Sequence, residues 1–154
     1  MLNHAFLIRK MTEQDLDELM IIEKDSFSLP WSRQSYEAEL QNPYADYLVC
    51  DWQGEVAAYV GMWTVFDEAH ITNVAVGRRF RHQGMGKILM LESEKLALAK
   101  KARRILLEVR PSNLAALTMY KELGYVPISL RKQYYSDNQE DAIIMTKCLY
   151  QIKL

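Results

Sequence analysis

A glycine-rich segment after an apolar strand could hold a phosphate group. The strand ends in Val74, Ala75 and Val76, and a helical pattern is entered through Arg81, His82, Gln83, Gly84, Met85, Gly86 and Lys87. The first turn of a helix has N–H groups without partners and carries the positive end of the helix dipole, so it attracts anions. Gly84 and Gly86 keep side chains away, while Arg81 and Lys87 add positive charge. The segment predicts an anion-binding loop for a phosphate-bearing cofactor.

Two other phosphate-binding loops fit these residues poorly. A Walker A loop needs a glycine where Arg81 stands and a Ser or Thr where Ile88 stands. A dinucleotide-binding loop needs a third glycine at the position of Leu89. A basic, glycine-started helix that binds no ligand is the remaining alternative.

Glu108 and Tyr120 are the side chains best suited to moving protons. Glu108 stands in the apolar strand pattern from 105 to 109, where burial of an unpaired charge is costly and indicates pairing or function. Arg110 follows on the same strand face and could simply be its partner. Tyr120 comes 12 residues later on the apolar stripe of a helix, where a core tyrosine is the alternative. By the switch-point rule for open α/β sheets, we expect the carboxylate and the phenol to lie together.

The elements that must position these groups follow from hydrophobic periodicity. A strand from Ala69 to Val76 enters the glycine-rich loop, and a second strand covers Ile105 to Arg110 after the helix. A helix between two such strands implies a parallel crossover. Pro111 and Ser112 set the start of the helix that carries Tyr120, and Gly124 ends it.

The N-terminal part of the chain predicts a strand followed by two helices. The strand covers Phe6 to Lys10, and Thr12, with Asp15 three positions on, caps a first helix from about Glu13 to about Ser26. Ser32 caps a second, shorter helix. The turn between the helices carries Leu29, Pro30 and Trp31, and it is either a packing plug or one wall of a substrate groove.

The remaining strands complete the predicted fold. They cover about Tyr44 to Asp51, Val56 to Phe66, Tyr125 to Tyr134 and Ala142 to Leu149. The order β-α-α-β-β-β-α-β-α-β-β predicts an α/β fold with a mixed sheet of six to seven strands flanked by helices. We expect one domain that covers residues 1–154.

Composition excludes several classes of protein. With 49% apolar residues, 25% charged residues and a formal net charge of −1, the chain has the balance of a globular protein and no overall sign of nucleic-acid or membrane binding. Cys50 and Cys148 lie in apolar runs and are expected to be buried and reduced. No metal site is expected because the histidines form no ligand spacing with either cysteine. No apolar stretch reaches membrane-spanning length, so the expected location is the cytoplasm.

Motifs spread from Ile8 to about Leu149 resemble those of a known family. They are Leu29-Pro30-Trp31, Asp67-Glu68-Ala69, the block from Asn73 to Lys87, Leu107-Glu108-Val109-Arg110, Ser112-Asn113, Tyr120 with Leu123-Gly124-Tyr125, Arg131 to Tyr135, and Glu140-Asp141-Ala142. The glycine-rich loop resembles the acetyl-coenzyme A loop of the GCN5-related N-acetyltransferase (GNAT) superfamily. The whole set is similar to its branch of bacterial ribosomal-protein alanine N-acetyltransferases, of the RimI type.

The resemblance implies roles for individual residues. It makes Glu108 the proton acceptor, Tyr120 the proton donor to the departing thiolate and Asn113 a coenzyme A contact. Backbone groups of Val74, Ala75 and Val76 would face the pantetheine arm, and residues 81–87 would hold the diphosphate. Leu29, Pro30, Trp31, Tyr134 and Tyr135 would frame the peptide groove; for the two tyrosines, the alternative is a hydrophobic staple under the final hairpin. The implied partners are acetyl-CoA and a protein N-terminus, with no metal, no direct nucleic acid and no membrane.

The reaction expected from this resemblance is direct attack of an amine on a thioester. Neither Cys50 nor Cys148 is suitably placed for an acetyl-enzyme route, because both lie away from the motif. Two rival functions stay open at this point. One is acetylation of a lysine or a small amine on the same fold. The other is a non-catalytic module that binds acyl-coenzyme A.

Overall fold

The computed structural model describes residues 6–149, and its elements follow the predicted order. The strands are β1 (Phe6–Lys10), β2 (Ala45–Trp52), β3 (Glu55–Val65), β4 (Glu68–Val76), β5 (Arg104–Val109), β6 (Val126–Arg131) and β7 (Ala142–Cys148). The α-helices are α1 (Leu16–Ser26), α2 (Arg33–Leu40), α3 (Met85–Ala99) and α4 (Leu114–Glu122). Within the described residues these elements confirm the predicted mixed α/β architecture.

The strands form a seven-stranded mixed sheet of order β1-β2-β3-β4-β5-β7-β6. β1, β2 and β3 pair antiparallel in sequence order. β4 and β5 pair parallel, with Glu68 opposite Arg104 and His70 opposite Leu106, as the predicted crossover through α3 requires. β7 pairs antiparallel with both β5 and β6, so the last described strand lies between β5 and β6 in the sheet.

The chain divides into two compact units. The first contains the described residues up to Trp63 together with Thr72–Ser93, and the second contains Thr64–Ile71 and the described residues from Glu94 onward. The strands β3 and β4 and the helix α3 therefore each contribute residues to both units. The expectation of one domain over residues 1–154 stays a prediction, and residues 1–5 and 150–154 lie outside the described part.

The first unit has its own apolar core. Its buried members are Met11, Leu16, Leu19, Ile22, Tyr36, Tyr47, Val49, Val56, Tyr59 and Ala75. The apolar stripe of α1 supplies three of them, Leu16, Leu19 and Ile22, at the spacing that places side chains on one helix face. Ser32 caps α2 as predicted, because its side chain accepts a hydrogen bond from the N–H of Ser35.

The start of the first helical segment contains a partly buried ion pair between Arg9 and the buried Asp15. Thr12 and Asp15 form the predicted capping box, and a short 3₁₀ turn over Glu13–Asp15 leads into α1. The Asp15 carboxylate also accepts hydrogen bonds from the Arg9 guanidinium at 2.9 and 2.7 Å. Burial raises the pKa of Asp15, but the hydrogen bonds from Arg9 and Thr12 outweigh it and lower the pKa below its usual value.

We expect this pair to make stability depend on pH. Because the folded-state pKa of Asp15 is lowered, its contribution is present above the unfolded pKa of about 3.9 and is lost as pH falls through the folded value. Asp15→Asn should lower the free energy of unfolding by about 1–3 kcal/mol at pH 7. The difference from wild type should shrink below about pH 4, as urea titrations at both pH values would measure.

The control for this prediction is Asp17→Asn, two residues away. Asp17 is exposed and pairs with Arg33 at the surface, so its loss should change stability little at either pH. A difference between Asp15→Asn and wild type that is equal at pH 7 and pH 3 would contradict the account.

The second unit departs from the predictions at three places. α4 begins one residue after Asn113, which is its N-cap and accepts from the N–H of Ala116, rather than at Pro111 and Ser112. β6 ends at Arg131 and not at Tyr134, because the chain turns through Gln133 at a φ of +50°. Cys148 is exposed although Cys50 is buried, since β7 ends at Cys148.

No described helix is long and apolar enough to cross a membrane.

Candidate active site

Glu108 lies near the end of β5 in the second unit, and its partner is a histidine. Along β5 the residues Ile105, Leu107 and Val109 are buried, so Glu108 lies on the other face of the strand. Its Oε2 atom lies 2.6 Å from Nε2 of His70 on the neighbouring strand β4. The Glu108 side chain is 17% exposed and that of His70 is 38% exposed. The carboxylate is therefore held at one oxygen and still reached by solvent.

Arg110 is not the ion-pair partner of Glu108, although its position on the same strand face made that possible. Its guanidinium pairs with Asp137 at 2.9 Å and with Glu140 at 3.4 Å, both in the loop between β6 and β7. It also lies over the ring of Tyr135, with Cζ 3.8 Å from the ring centroid. Arg110 thus fixes the loop against the end of β5 and leaves Glu108 to His70.

Tyr120 is buried in α4 and packs on a second tyrosine. Its ring lies 5.9 Å from that of Tyr125 in a T-shaped arrangement, and Tyr125 follows Gly124, whose φ of +98° ends the helix as predicted. Among the described residues no group accepts a hydrogen bond from the Tyr120 hydroxyl. Burial, and next the nearby Tyr135, raise the pKa of Tyr120 far above its usual value, so the phenol is protonated at neutral pH.

Tyr134 and Tyr135 lie in the loop after β6, and Tyr134 is therefore not at the end of the strand that the sequence predicted. Hydrogen bonds inside the loop replace strand pairing: Tyr135 N–H donates to the carbonyl of Glu140, and Gln133 N–H donates to the carboxylate of Asp141. The two rings meet edge to face at 5.0 Å. Tyr134 is 46% exposed. The side chain of Tyr135 is half-buried, and burial raises its pKa to about 12 against the opposing effect of Arg110.

Glu140 ties the same loop to the start of α4. Its carboxylate accepts hydrogen bonds from the backbone N–H and the hydroxyl of Ser112, at 2.7 and 2.9 Å. These bonds lower the pKa of Glu140. Asn113 follows, and its side-chain oxygen is used to cap α4, so any contact of Asn113 with a cofactor would come from its amide nitrogen.

The glycine-rich loop lies in the first unit and has the backbone of an anion site. Two residues adopt positive φ, His82 at +64° and Gly84 at +83°, and α3 begins immediately afterwards at Met85. Ile88 N–H donates to the carbonyl of Gly84 as the first bond of the helix. The N–H groups of a first helical turn point along the axis toward the loop before it. Gly86 has no side chain to cover them. These features fit a diphosphate.

The side chains of the loop do not all face such an anion. Met85 is 1% exposed and anchors the helix start in the unit's interior, whereas Gln83, His82 and Lys87 are exposed. Arg81 donates through Nε to the carbonyl of Val76 at 3.1 Å and lies 3.7 Å from Asp25. Arg81 therefore fixes the loop to the end of β4, and its charge is shared with a carboxylate.

The turn between α1 and α2, also in the first unit, is fixed from below. Leu29 is 50% exposed, and Trp31 lies against Tyr36 with ring centroids 5.4 Å apart. The N–H of Trp31 donates to the buried carboxylate of Glu23 at 2.8 Å. The turn is thus anchored to the interior on one side and open to solvent on the other. Its packing is the first predicted alternative, and its role as one wall of a substrate groove stays a prediction.

The predicted site residues fall into the two units as follows. The first unit holds Val74, Ala75, Val76, Arg81, His82, Gln83, Gly84, Met85, Gly86, Lys87, Leu29, Pro30 and Trp31, and the second holds Glu108, Tyr120, Asn113, Tyr134 and Tyr135. Within the second unit, Glu108 and Tyr120 each interact electrostatically with Tyr135. The described residues contain no group of three or more His, Cys, Asp or Glu that could hold a metal ion.

Sequence reasoning missed two polar residues. His70 gave a signal only once the strand register was known, because residues 70 and 108 are far apart in sequence but on adjacent strands. Glu23 could have been found from the sequence, because it is a glutamate on the otherwise apolar stripe of α1. A charge at such a position indicates a buried polar network.

The mixed sheet and the glycine-started helix after β4 fit a protein that binds a phosphate-bearing cofactor, and the Glu108 carboxylate on β5 is a group that can accept a proton. The model of the Acetyltransferase (GNAT) family matches residues 16–125, and the chain belongs to this family. It is accordingly an N-acetyltransferase that uses acetyl-CoA, as the resemblance implied.

Relatives described as N-acetyltransferases match about nine-tenths of the chain. A Bacillus subtilis protein described as a putative [ribosomal protein bS18]-alanine N-acetyltransferase is 45% identical, over 90% of this chain and 92% of its own. The Escherichia coli [ribosomal protein bS18]-alanine N-acetyltransferase is 33% identical, over 90% and 94%. The crystal structure of the E. coli ribosomal-protein-S18-alanine N-acetyltransferase superposes with a TM-score of 0.87 at 29% identity, covering 96% of each chain. Ard1 from Thermoplasma volcanium has a TM-score of 0.88 at 25% identity, covering 96% of this chain and 99% of its own.

Proposed function

We propose that this enzyme acetylates the α-amine of a protein N-terminus, and that its substrate is a small-subunit ribosomal protein with an N-terminal alanine. Two relatives described as [ribosomal protein bS18]-alanine N-acetyltransferases, the first of them as putative, match nine-tenths of the chain and support this substrate. The observation that carries the chemistry is the Glu108 carboxylate, whose Oε2 is bonded to His70. Its Oε1 has no donor among the described residues and can accept a proton from an amine. A ribosomal substrate also agrees with the expected cytoplasmic location.

Glu108 acts as the general base in this proposal. An α-amine has a pKa near ~7.8 and a lysine near ~10.4, so deprotonation at pH ~7.4 costs about 0.5 and about 4 kcal/mol respectively. An N-terminal amine therefore needs only a weak general base, because its deprotonation costs little free energy at this pH. Glu108 removes the proton as the new C–N bond forms, either directly or through one water, while His70 keeps the carboxylate in place.

Tyr120 acts as the general acid. Acetyl-CoA supplies the acetyl group as a thioester, and the departing sulfur needs a proton or a hydrogen-bond donor. The raised pKa of Tyr120 keeps its proton on the oxygen at neutral pH. It also makes the phenol a weak acid, so Tyr120 donates only as negative charge develops on sulfur.

The remaining predicted residues bind acetyl-CoA and the peptide and orient them for the reaction. The start of α3, with Gly84 and Gly86, suits the diphosphate, and a backbone N–H between Asn73 and Val76 would donate to the carbonyl oxygen of the acetyl group. Asn113 would add a contact through its amide nitrogen. Leu29, Pro30 and Trp31 in the first unit, and separately Tyr134 and Tyr135 in the second, have exposed edges that suit a polypeptide backbone.

We expect the enzyme to acetylate a peptide that begins with alanine and to leave its lysines unmodified. Purified protein, acetyl-CoA and the peptide should release free thiol, and mass spectrometry should find one acetyl group on the N-terminal amine. The control is the same peptide with its α-amine blocked and its lysines free, which should release no thiol. Continued acetylation of the blocked peptide would favour a lysine acetyltransferase. Binding of acetyl-CoA without thiol release from any amine would favour the non-catalytic module.

A further inference from the structure

Glu23 is a buried carboxylate that the acetyl transfer proposed above does not use. It is 1% exposed and lies on α1. Its Oε1 accepts hydrogen bonds from the hydroxyls of Tyr36 at 2.6 Å and Tyr59 at 2.5 Å. Its Oε2 accepts from the backbone N–H of Trp31 at 2.8 Å. In the described part of the chain no Lys, Arg or His forms an ion pair with it.

A buried charge without a cation is an expensive way to hold a core together. An apolar side chain of similar size would pack against α2 and β3 at lower cost, so the carboxylate needs another reason. Glu23 differs from an apolar residue in one respect that reaches the surface: it accepts the N–H of Trp31. The turn that contains Trp31 has exposed residues on both sides, Pro30 and Ser32, and its backbone is joined to the interior through this N–H, while the Trp31 ring packs against the apolar core.

The donors around Glu23 are themselves fixed. Tyr36 is fully buried on α2, and its hydroxyl accepts a hydrogen bond from the side-chain amide of Asn73 on β4. Burial raises the pKa values of Tyr36 and Tyr59 far above their usual range, so both hydroxyls stay protonated and can donate to the carboxylate. The three hydrogen bonds therefore connect α2 and β3 to a single point under the turn.

We infer that Glu23 is a positioning residue for peptide recognition, one that holds the Trp31 turn in the conformation that receives the substrate backbone. The inference rests on the proposed function, in which this turn is one wall of the peptide groove. Glu23 does not contact the acetyl group or the amine. Its loss should weaken peptide binding, with little effect on the chemical step or on acetyl-CoA.

The test is Glu23→Met. Methionine keeps nearly the size of the side chain and can pack in the apolar core, but it offers no oxygen to the N–H of Trp31 or to the tyrosine hydroxyls. We expect the amide of Trp31 to exchange with deuterium at least about tenfold faster. The KM for the alanine-initiated peptide should rise about tenfold, while kcat and the KM for acetyl-CoA stay within about twofold of wild type.

The matched control is Tyr59→Phe. It removes one hydrogen bond to Oε1 but leaves the bond between Oε2 and Trp31, so it should lower the denaturation midpoint without speeding exchange at Trp31 or raising the peptide KM. Equal rises of the peptide KM in both variants would overturn the inference, because they would show a general loss of stability.

Amide exchange keeps the inference separate from the proposed function. It needs no substrate, and unprotected exchange of Trp31 in the wild-type protein would overturn the inference even if Glu23→Met does not fold. A wild-type enzyme that acetylates no N-terminal peptide would overturn the proposed function. Slow exchange in wild type with fast exchange in Glu23→Met would still support Glu23 as the residue that holds the turn.

Discussion

Replacement of Glu108 by glutamine should lower kcat for the alanine-initiated peptide by about 10²–10³-fold, because the amine loses its proton acceptor as the C–N bond forms. Glutamine keeps the shape of the side chain and an oxygen that can accept from His70. The KM for acetyl-CoA should therefore stay close to wild type. Steady-state thiol release at saturating acetyl-CoA measures both quantities.

The control for this result is Glu122→Gln, at the exposed C-terminal end of α4. It removes the same charge from the second unit and should leave kcat unchanged. Below about pH 7.8 the kcat/KM of both variants and of wild type should fall together, because that limb belongs to the α-amine of the peptide. Turnover by Glu108→Gln equal to wild type would remove Glu108 from the mechanism.

Tyr120→Phe should lower kcat by about 10²–10³-fold with little change in either KM, since the departing thiolate loses its donor. The substitution removes only a hydroxyl that has no acceptor among the described residues, so the fold has little to lose. The free energy of unfolding should change by less than about 1 kcal/mol. Stopped thiol release together with an unchanged urea midpoint would separate a catalytic role from a core role.

Tyr125→Phe is the matched control, because its ring lies 5.9 Å from that of Tyr120 in the same unit. The hydroxyl of Tyr125 donates to the buried carboxylate of Glu94 at 3.1 Å, and Lys147 also donates to Glu94. Its loss should cost about 1 kcal/mol of stability and leave kcat intact. The reverse pattern, a stable and inactive Tyr125→Phe beside an active Tyr120→Phe, would assign the acid to Tyr125.

The order of helices and strands was readable from the sequence because it depends on local rules. Thr12 with Asp15, Ser32 and Gly124 mark helix ends through hydrogen bonds and backbone angles that involve a few neighbouring residues. The glycine-rich loop was recognisable for the same reason. Its first-turn N–H groups and the positive φ of Gly84 depend on consecutive residues.

The ends of some elements were not readable, because longer-range hydrogen bonds decide them. β6 stops at Arg131 since the following residues are held by Asp141, Glu140 and Arg110 from other parts of the chain. The sequence pattern up to about Tyr134 fits a strand equally well. Only the competing bonds make it a loop.

The sequence alone determined which groups are available for chemistry: a carboxylate in an apolar strand, a phenol on an apolar helix and a glycine-started helix after β4. Tertiary structure alone decided their partners. Glu108 is bonded to His70 and not to Arg110, and Glu23 meets two tyrosines and the Trp31 turn. The physical reason is that a charge must find a partner when it is buried, and strand register and helix packing decide which partner is within hydrogen-bond distance.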